Sequence, residues 1–235
     1  MKMRMTQVSS IDDISPHMRR IVLQGEDLSD FPLGKEGAHF KAIFPQPGQV
    51  KPKLGFHLSF KKWMRSYTVR AFDAQNKELT VDFAVNKHEG LATNWAQSAK
   101  IGDYLGVGGV GSTKHKNYQA DWHLLFADLT GLPATAAILE KLPLDALGYA
   151  FIQVPSEEDK QEIDMPEGIN ITWIINNNLH KNELLAQGET LKWPKGSPSI
   201  FIAAERNQMK TLRQYVKHKP GYLHKQTYAS AYWKA

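Results

Sequence analysis

Two patterns along this chain predict its fold class, an all-β N-terminal half closed into a small barrel and an α/β C-terminal half on a parallel sheet. The first is a series of short strands punctuated by Gly and Pro, running from the N-terminus to about Gly111. The second is a regular exchange of strand and helix beyond the polar stretch Ser112 to Asp121, as a parallel sheet with covered faces requires. With 235 residues, 42% of them hydrophobic, the chain has material for one large core or two modest ones. The domains are expected over 1–115 and 120–235.

Composition narrows the function classes. No apolar run approaches the ~18–20 residues that span a bilayer. The start, MKMRMTQVSSIDDIS, turns polar and acidic where a signal peptide needs its apolar region, so a cytoplasmic protein with no membrane partner is expected. The absence of cysteine removes disulfides, thiolate metal sites and cysteine nucleophiles. Any redox chemistry must therefore come from a bound cofactor. The nine histidines show no i, i+4 pairing with a carboxylate, and no resident metal centre is expected. A net charge of +5 favours anionic partners, but the basic residues are scattered and no nucleic-acid signature is present.

In order, Met18 to Gln24 reads as a strand, followed by turn residues Gly25, Asp27, Asp30, Pro32 and Gly34. Ala38 to Pro45 is the next. Glu78 to Val85 alternates cleanly, with Leu79, Val81, Phe83 and Val85 on one side. Leu91 to Ala99 reads as a short helix opened by Gly90, whose first-turn amides suit a pyrophosphate or simply cap the barrel with Trp95 buried. Gly106-Val107-Gly108-Gly109-Val110-Gly111 fits G-x-G-x-x-G literally. No helical pattern follows it, and Lys100 to Leu105 reads as the entry to a barrel strand, so the dinucleotide fingerprint is rejected. In the second half, strands are expected at Trp122–Ala127, Tyr149–Val154, Ile169–Ile175 and Ser199–Ala204. Helices are expected at Pro133–Leu142, with Thr130 as a candidate cap, around Glu183 to Leu185, and from Arg206 to Lys217.

The chemistry centres on Arg65-Ser66-Tyr67-Thr68-Val69-Arg70, a short strand with Tyr67 and Val69 on one face and Ser66, Thr68 and Arg70 on the other. It offers a ring for a flat ligand, hydroxyls for that ligand's edge and a guanidinium for a phosphate. A flavin dinucleotide needs those three together; an ordinary half-exposed strand with solvated arginines has the same pattern.

These pieces, in this order, resemble the ferredoxin-reductase-like flavoproteins and, within them, the siderophore-interacting proteins, the ViuB-type ferric-siderophore reductases. The matching stretches are His39 to Pro45, Arg65 to Arg70, Asp82 through His88, Gly90 to Ala96, Ala127 to Ala134, Ala203-Ala204-Glu205 and Tyr232-Trp233-Lys234. The family's Gly-Asp-Glu-Thr stands here as Ala127-Asp128-Leu129-Thr130, and its Ala-Gly-Glu as Ala203-Ala204-Glu205. The resemblance implies a Greek-key FAD-binding barrel followed by an NAD(P)-binding-like α/β domain, as in ferredoxin-NADP reductase. It implies FAD held by Arg65, Ser66, Tyr67 and Thr68 at the flavin and phosphate end. Asp82, Phe83, Ala84, Val85 and His88 would line the sugar and adenine side, and Gly90, Leu91, Ala92 and Thr93 the pyrophosphate. Thr130 and Pro133 would approach from the second domain, Glu205 would lie near the NADH or NADPH donor, and Trp233 near the flavin or docked on the core.

The implied substrate is an anionic ferric siderophore, reduced from Fe(III) to Fe(II) by flavin-mediated electron transfer with no protein acid, base or nucleophile. Lys41, Lys53, Lys62 and Arg70 are the leading candidates to dock it, with Lys51 and Lys61 beside them and Trp63 available to stack. NADH, NADPH and reduced ferredoxin all remain open as donors. Two other activities also stay open, a general NAD(P)H:flavin or ferredoxin-type oxidoreductase and a non-enzymatic basic module for anions.

Overall fold

The computed structural model describes residues 2–55, 58–85, 89–178 and 181–235, the side chains of 58–60 excepted. The chain forms two compact units, Met1–Thr113 and Lys114–Ala235.

In the first unit the strands are β1 (Met3–Ser15), β2 (Met18–Gln24), β3 (His39–Ile43), β4 (Met64–Thr68), β5 (Ala71–Asp73), β6 (Glu78–Ala84) and β7 (Tyr104–Gly108), with helix α1 (Leu91–Ser98). Their order is β4-β3-β7-β1-β2-β6-β5, antiparallel throughout. The two edges of this sheet are one continuous stretch of chain. Val69 N donates to Ala38 O at 2.8 Å, on the β3 side, and the next amide, Arg70 N, donates to Thr80 O at 3.0 Å on β6. Ala71 also stands opposite Thr80, so two residues face one and the strand bends as a β-bulge does. That bend closes the sheet and leaves it no long open edge. Leu79, Val81 and Phe83 of β6 point inward onto Phe40, Phe44, Leu105 and Val107, all of them buried.

β1 was not legible as a strand. Its thirteen residues carry one fully apolar inward position, Val8, and are otherwise polar or half-exposed, but they pair with β2 on one side and β7 on the other. The glycine-rich run proves to be strand β7 and its exit. A Cβ at Gly106 would fall 2.7 Å from Leu54 and 2.9 Å from Ile43, and one at Gly111 would fall 2.6 Å from the His39 ring. These glycines admit neighbouring strands, not a phosphate.

The second unit runs β8 (Trp122–Asp128), α2 (Leu132–Leu139), β9 (Gly148–Val154), β10 (Ile169–Ile175), α3 (Glu183–Thr190), β11 (Pro198–Glu205), α4 (Arg206–Lys217) and β12 (Thr227–Trp233). Its sheet is parallel, in the order β10-β9-β8-β11-β12. β8 and β11, the central pair, are buried along their whole length, as their near-continuous apolar sequences require. The chain winds outward from β8 to β10 and then returns to β11, so the order reverses between β8 and β11. Ligands of open α/β sheets bind at the carboxyl ends of such a switch point. The edge strand β12 was not expected, because Thr-Tyr-Ala-Ser-Ala-Tyr-Trp mixes small and aromatic residues without alternation, and every position is half-buried.

Candidate functional site

β4 is bounded by β3 on one side and, beyond Val69, by β6 on the other, and its two faces carry the sequence-predicted cofactor residues Arg65 to Thr68. Arg65 and Ser66 are exposed. One Arg65 Nη donates to the Lys62 and Met64 carbonyls at 2.9 and 2.8 Å, which folds the guanidinium back along its own strand. Lys41, directly opposite Ser66, donates from Nζ to its hydroxyl at 2.6 Å. Tyr67 and Val69 both pack on the barrel core, and the Tyr67 ring lies 4.3 Å from that of Phe83. Burial pushes the Tyr67 hydroxyl above the ordinary phenol value, so it stays neutral. Thr68 is buried opposite His39.

From Arg70 onward the chain leaves β3 and pairs with β6. Because Thr80 O turns away from β2 to accept from Arg70, alternation directs the backbone groups of Asp82 and Ala84 the same way. There the β4–β5 chain has already turned toward β3. The side chains on β6 play a different part from that expected. Phe83 and Val85 are buried in the core. The Asp82 carboxylate is gripped by Arg20 through two bonds of 2.7 and 2.8 Å, with Arg70 Nε 3.8 Å away. A cofactor on this strand therefore meets main chain, while Asp82 holds Arg70. Of the basic residues expected to dock a substrate, Arg70 is thus drawn to Asp82. Lys62 lies over the Trp63 ring at 5.2 Å and Lys51 over Tyr104 at 4.4 Å, while Lys53 and Lys61 are exposed.

α1 is fastened to the same strands through Trp95, whose ring is 5.7 Å from Phe83 and 5.5 Å from Phe44. Gly90 precedes the helix in extended backbone, its N–H donating to Asn94 Oδ1 and its carbonyl accepting from Asn94 N. That leaves the amides of Leu91 and Ala92 in the first turn without intrahelical partners, the arrangement that favours an anion. His88 lies outside the described residues. Exposed guanidinium, hydroxyl, strand main chain and helix start on adjoining elements fit a flavin dinucleotide.

In the second unit, Thr130, Glu205 and Trp233 converge on Asp128, to which the sequence pattern gives no role. Asp128 ends β8 and is buried. It accepts five hydrogen bonds: Oδ1 from Thr130 N, Thr130 Oγ1 and Gly131 N, and Oδ2 from Glu205 N and Trp233 Nε1, at 2.6 to 3.2 Å. Burial raises its pKa, and these bonds pull it back down. The signal for it was a lone carboxylate closing an otherwise apolar strand. Thr130 is therefore not the cap of α2. Gly131 holds that position, and no side-chain cap bond is made. Pro133 does fall in the first turn, buried. Glu205 spends one carboxylate oxygen capping α4, accepting from Asn207 N and from Gln208 N at 3.2 Å. Trp233, on β12, stands opposite Glu205 with its indole held by Asp128.

Comparison with known proteins decides the family. Residues 7–113 match the model of the siderophore-interacting FAD-binding domain, and residues 120–235 that of the siderophore-interacting protein domain. The ferric vibriobactin reductase ViuB of Vibrio cholerae is 35% identical over 94% of this chain and 85% of its own. The chain belongs to the siderophore-interacting protein family. The crystal structure of the siderophore-interacting protein SipS from Aeromonas hydrophila superposes with a TM-score of 0.86 at 31% identity, covering 100% of this chain and 99% of that one. The NADPH-dependent ferric-chelate reductase of Escherichia coli is 28% identical over 100% of this chain and 94% of its own. Along this chain the FAD-binding domain precedes the domain named for the family.

Proposed function

We propose that this protein is an FAD-dependent ferric-siderophore reductase that works in the cytoplasm and takes its electrons from NADPH or NADH. The observation that carries this is the exposure of Arg65 and Ser66 on β4, together with the β6 main chain that turns away from β2 and the first turn of α1. The names borne by its relatives, ferric vibriobactin reductase and NADPH-dependent ferric-chelate reductase, support the substrate and the donor. FAD, when bound, converts the two-electron hydride of a pyridine nucleotide into the single-electron steps that ferric iron accepts.

The residues of this chain bind and orient. Arg65 turns its guanidinium from the Lys62 and Met64 carbonyls to a phosphate, a bond between two charges that is stronger than those to neutral carbonyls. Ser66 and the β6 main chain hold the cofactor's polar edge, and the amides of Leu91 and Ala92 receive its pyrophosphate. Lys41 and Lys62, with exposed Lys53, attract an anionic chelate, and Trp63 stacks on its rings. The pyridine nucleotide binds at the carboxyl ends of β8 and β11, which favours it over reduced ferredoxin as donor. No helix among the described residues is long and apolar enough to cross a membrane, which accords with a cytoplasmic site of action.

An absorption spectrum before and after adding FAD and desalting tests the cofactor assignment. A retained flavin band is expected. A protein left colourless at saturating FAD would overturn the redox reading.

A further inference from the structure

At the carboxyl ends of β9, β10 and β11 three amide side chains form a relay whose orientation is fixed from one end. Asn176, just past β10, faces two backbone groups. Its Oδ1 accepts from Asn178 N at 2.7 Å, and its Nδ2 donates to Lys181 O at 3.1 Å. Backbone partners leave no choice of amide flip. Nδ2 therefore presents its second hydrogen to Gln153, near the end of β9, and must meet Oε1, at 3.3 Å. The same Gln153 Oε1 receives Gln208 Nε2, in the first turn of α4, at 3.4 Å. Gln208 is thereby left with Oε1 turned away, buried and, among the described residues, without a hydrogen-bond partner, in a residue only 4% exposed. A buried acceptor left unmet is costly, and native structures keep such groups where a ligand or water completes them.

We infer that Gln208 is a recognition residue for the nucleoside part of the pyridine-nucleotide donor, with Gln153 and Asn176 positioning its amide. The inference rests on the donor reading given above. The chemistry of the free group selects the ligand atom. A carbonyl oxygen accepts only from an N–H or O–H, which a ribose hydroxyl or a base amine supplies and an ionised phosphate does not. The location agrees, because the three side chains stand at the carboxyl edge of a parallel sheet, where nucleotides bind. The set is also neutral, so it adds no acidic group to repel a 2′-phosphate.

The test compares the FAD-loaded protein with its Gln208→Met variant, which keeps the length and loses the acceptor. Gln208→Leu repeats the comparison with a second apolar shape. Dissociation constants are measured by calorimetry for NADP⁺, NAD⁺ and inorganic pyrophosphate, and thermal midpoints are measured without nucleotide. Both dinucleotides are expected to weaken about tenfold, pyrophosphate to be unchanged, and the ligand-free midpoint to hold or rise, since an unmet acceptor has been removed. Wild-type-like dinucleotide binding in the variants would overturn the inference. So would a fall in the ligand-free midpoint of more than about 5 °C, which marks a structural residue. A wild-type protein that binds neither dinucleotide would instead remove the donor reading, and this inference with it.

Discussion

Asp128 accepts from donors on both carboxylate oxygens, three on one and two on the other. No orientation of an asparagine satisfies that set, because its NH₂ would face either the Thr130 and Gly131 donors or those of Glu205 and Trp233. Asp128→Asn is therefore expected to cost about 3 kcal/mol of unfolding free energy, despite its near-identical shape, and to change the Trp233 environment; urea unfolding followed by tryptophan fluorescence measures both. Arg65 is the opposite case. It is exposed and, among the described residues, bonds carbonyls within three residues of itself, so Arg65→Ala should leave the apoprotein's thermal midpoint within about 2 °C. The same change should weaken FAD at least about tenfold in a fluorescence titration, as expected for a lost charge-assisted bond. Equal FAD affinity in variant and wild type would remove Arg65 from the site.

Elements differed in how far the sequence exposed them. β6 and α4 were legible nearly to the residue, because clean alternation and a well-marked amphipathic face leave little choice. β1 and β12 were not, since one is a polar strand held by neighbours on both sides and the other a half-buried edge. Tertiary pairing, not local pattern, makes them strands. The strand Arg65 to Thr68 was read as a ligand platform from residue types alone, but the closure of the barrel at Arg70 depends on a register that no local pattern contains. For the same reason Asp82 was assigned to the cofactor when its partner, Arg20, stands on β2, 62 residues away in sequence.

The loop before β8 carries a pH dependence of its own. His115 Nε2 lies 3.1 Å from His123 Nδ1, both rings buried. Burial depresses their pKa values to about 3 and about 4. Unfolded histidines titrate near ~6.5, so the unfolded chain binds more protons below that pH. The pair's stabilisation is full above about pH 6.5 and is lost as pH falls toward the folded values. Between pH 6.5 and 5, above the range of ordinary carboxylates, unfolding free energy is expected to drop by about 2–4 kcal/mol. A His115→Phe, His123→Leu double variant should flatten that slope in denaturant titrations. An unchanged slope would place the titration elsewhere.

At the scale of the whole molecule, two units divide the work. An antiparallel barrel offers the flavin platform and a parallel sheet offers the switch point, and the change of hydrophobic period near residue 115 announced both. The candidate site is legible where one strand or one helix start would compose it, as proposed for Arg65 to Thr68 and Gly90 to Thr93. It was hidden where distant strand ends meet, as at Asp128, Gln153 and Gln208, because the spacing of those residues in sequence carries no sign of their convergence. Turnover is the most direct test of the central claim. FAD-loaded protein is mixed anaerobically with NADPH and a ferric catecholate siderophore, and ferrous iron is trapped with a ferrous-specific chelator. About two ferrous ions per NADPH consumed are expected, as the electron balance requires. Flavin that is bound and reduced but yields no ferrous iron would contradict the account.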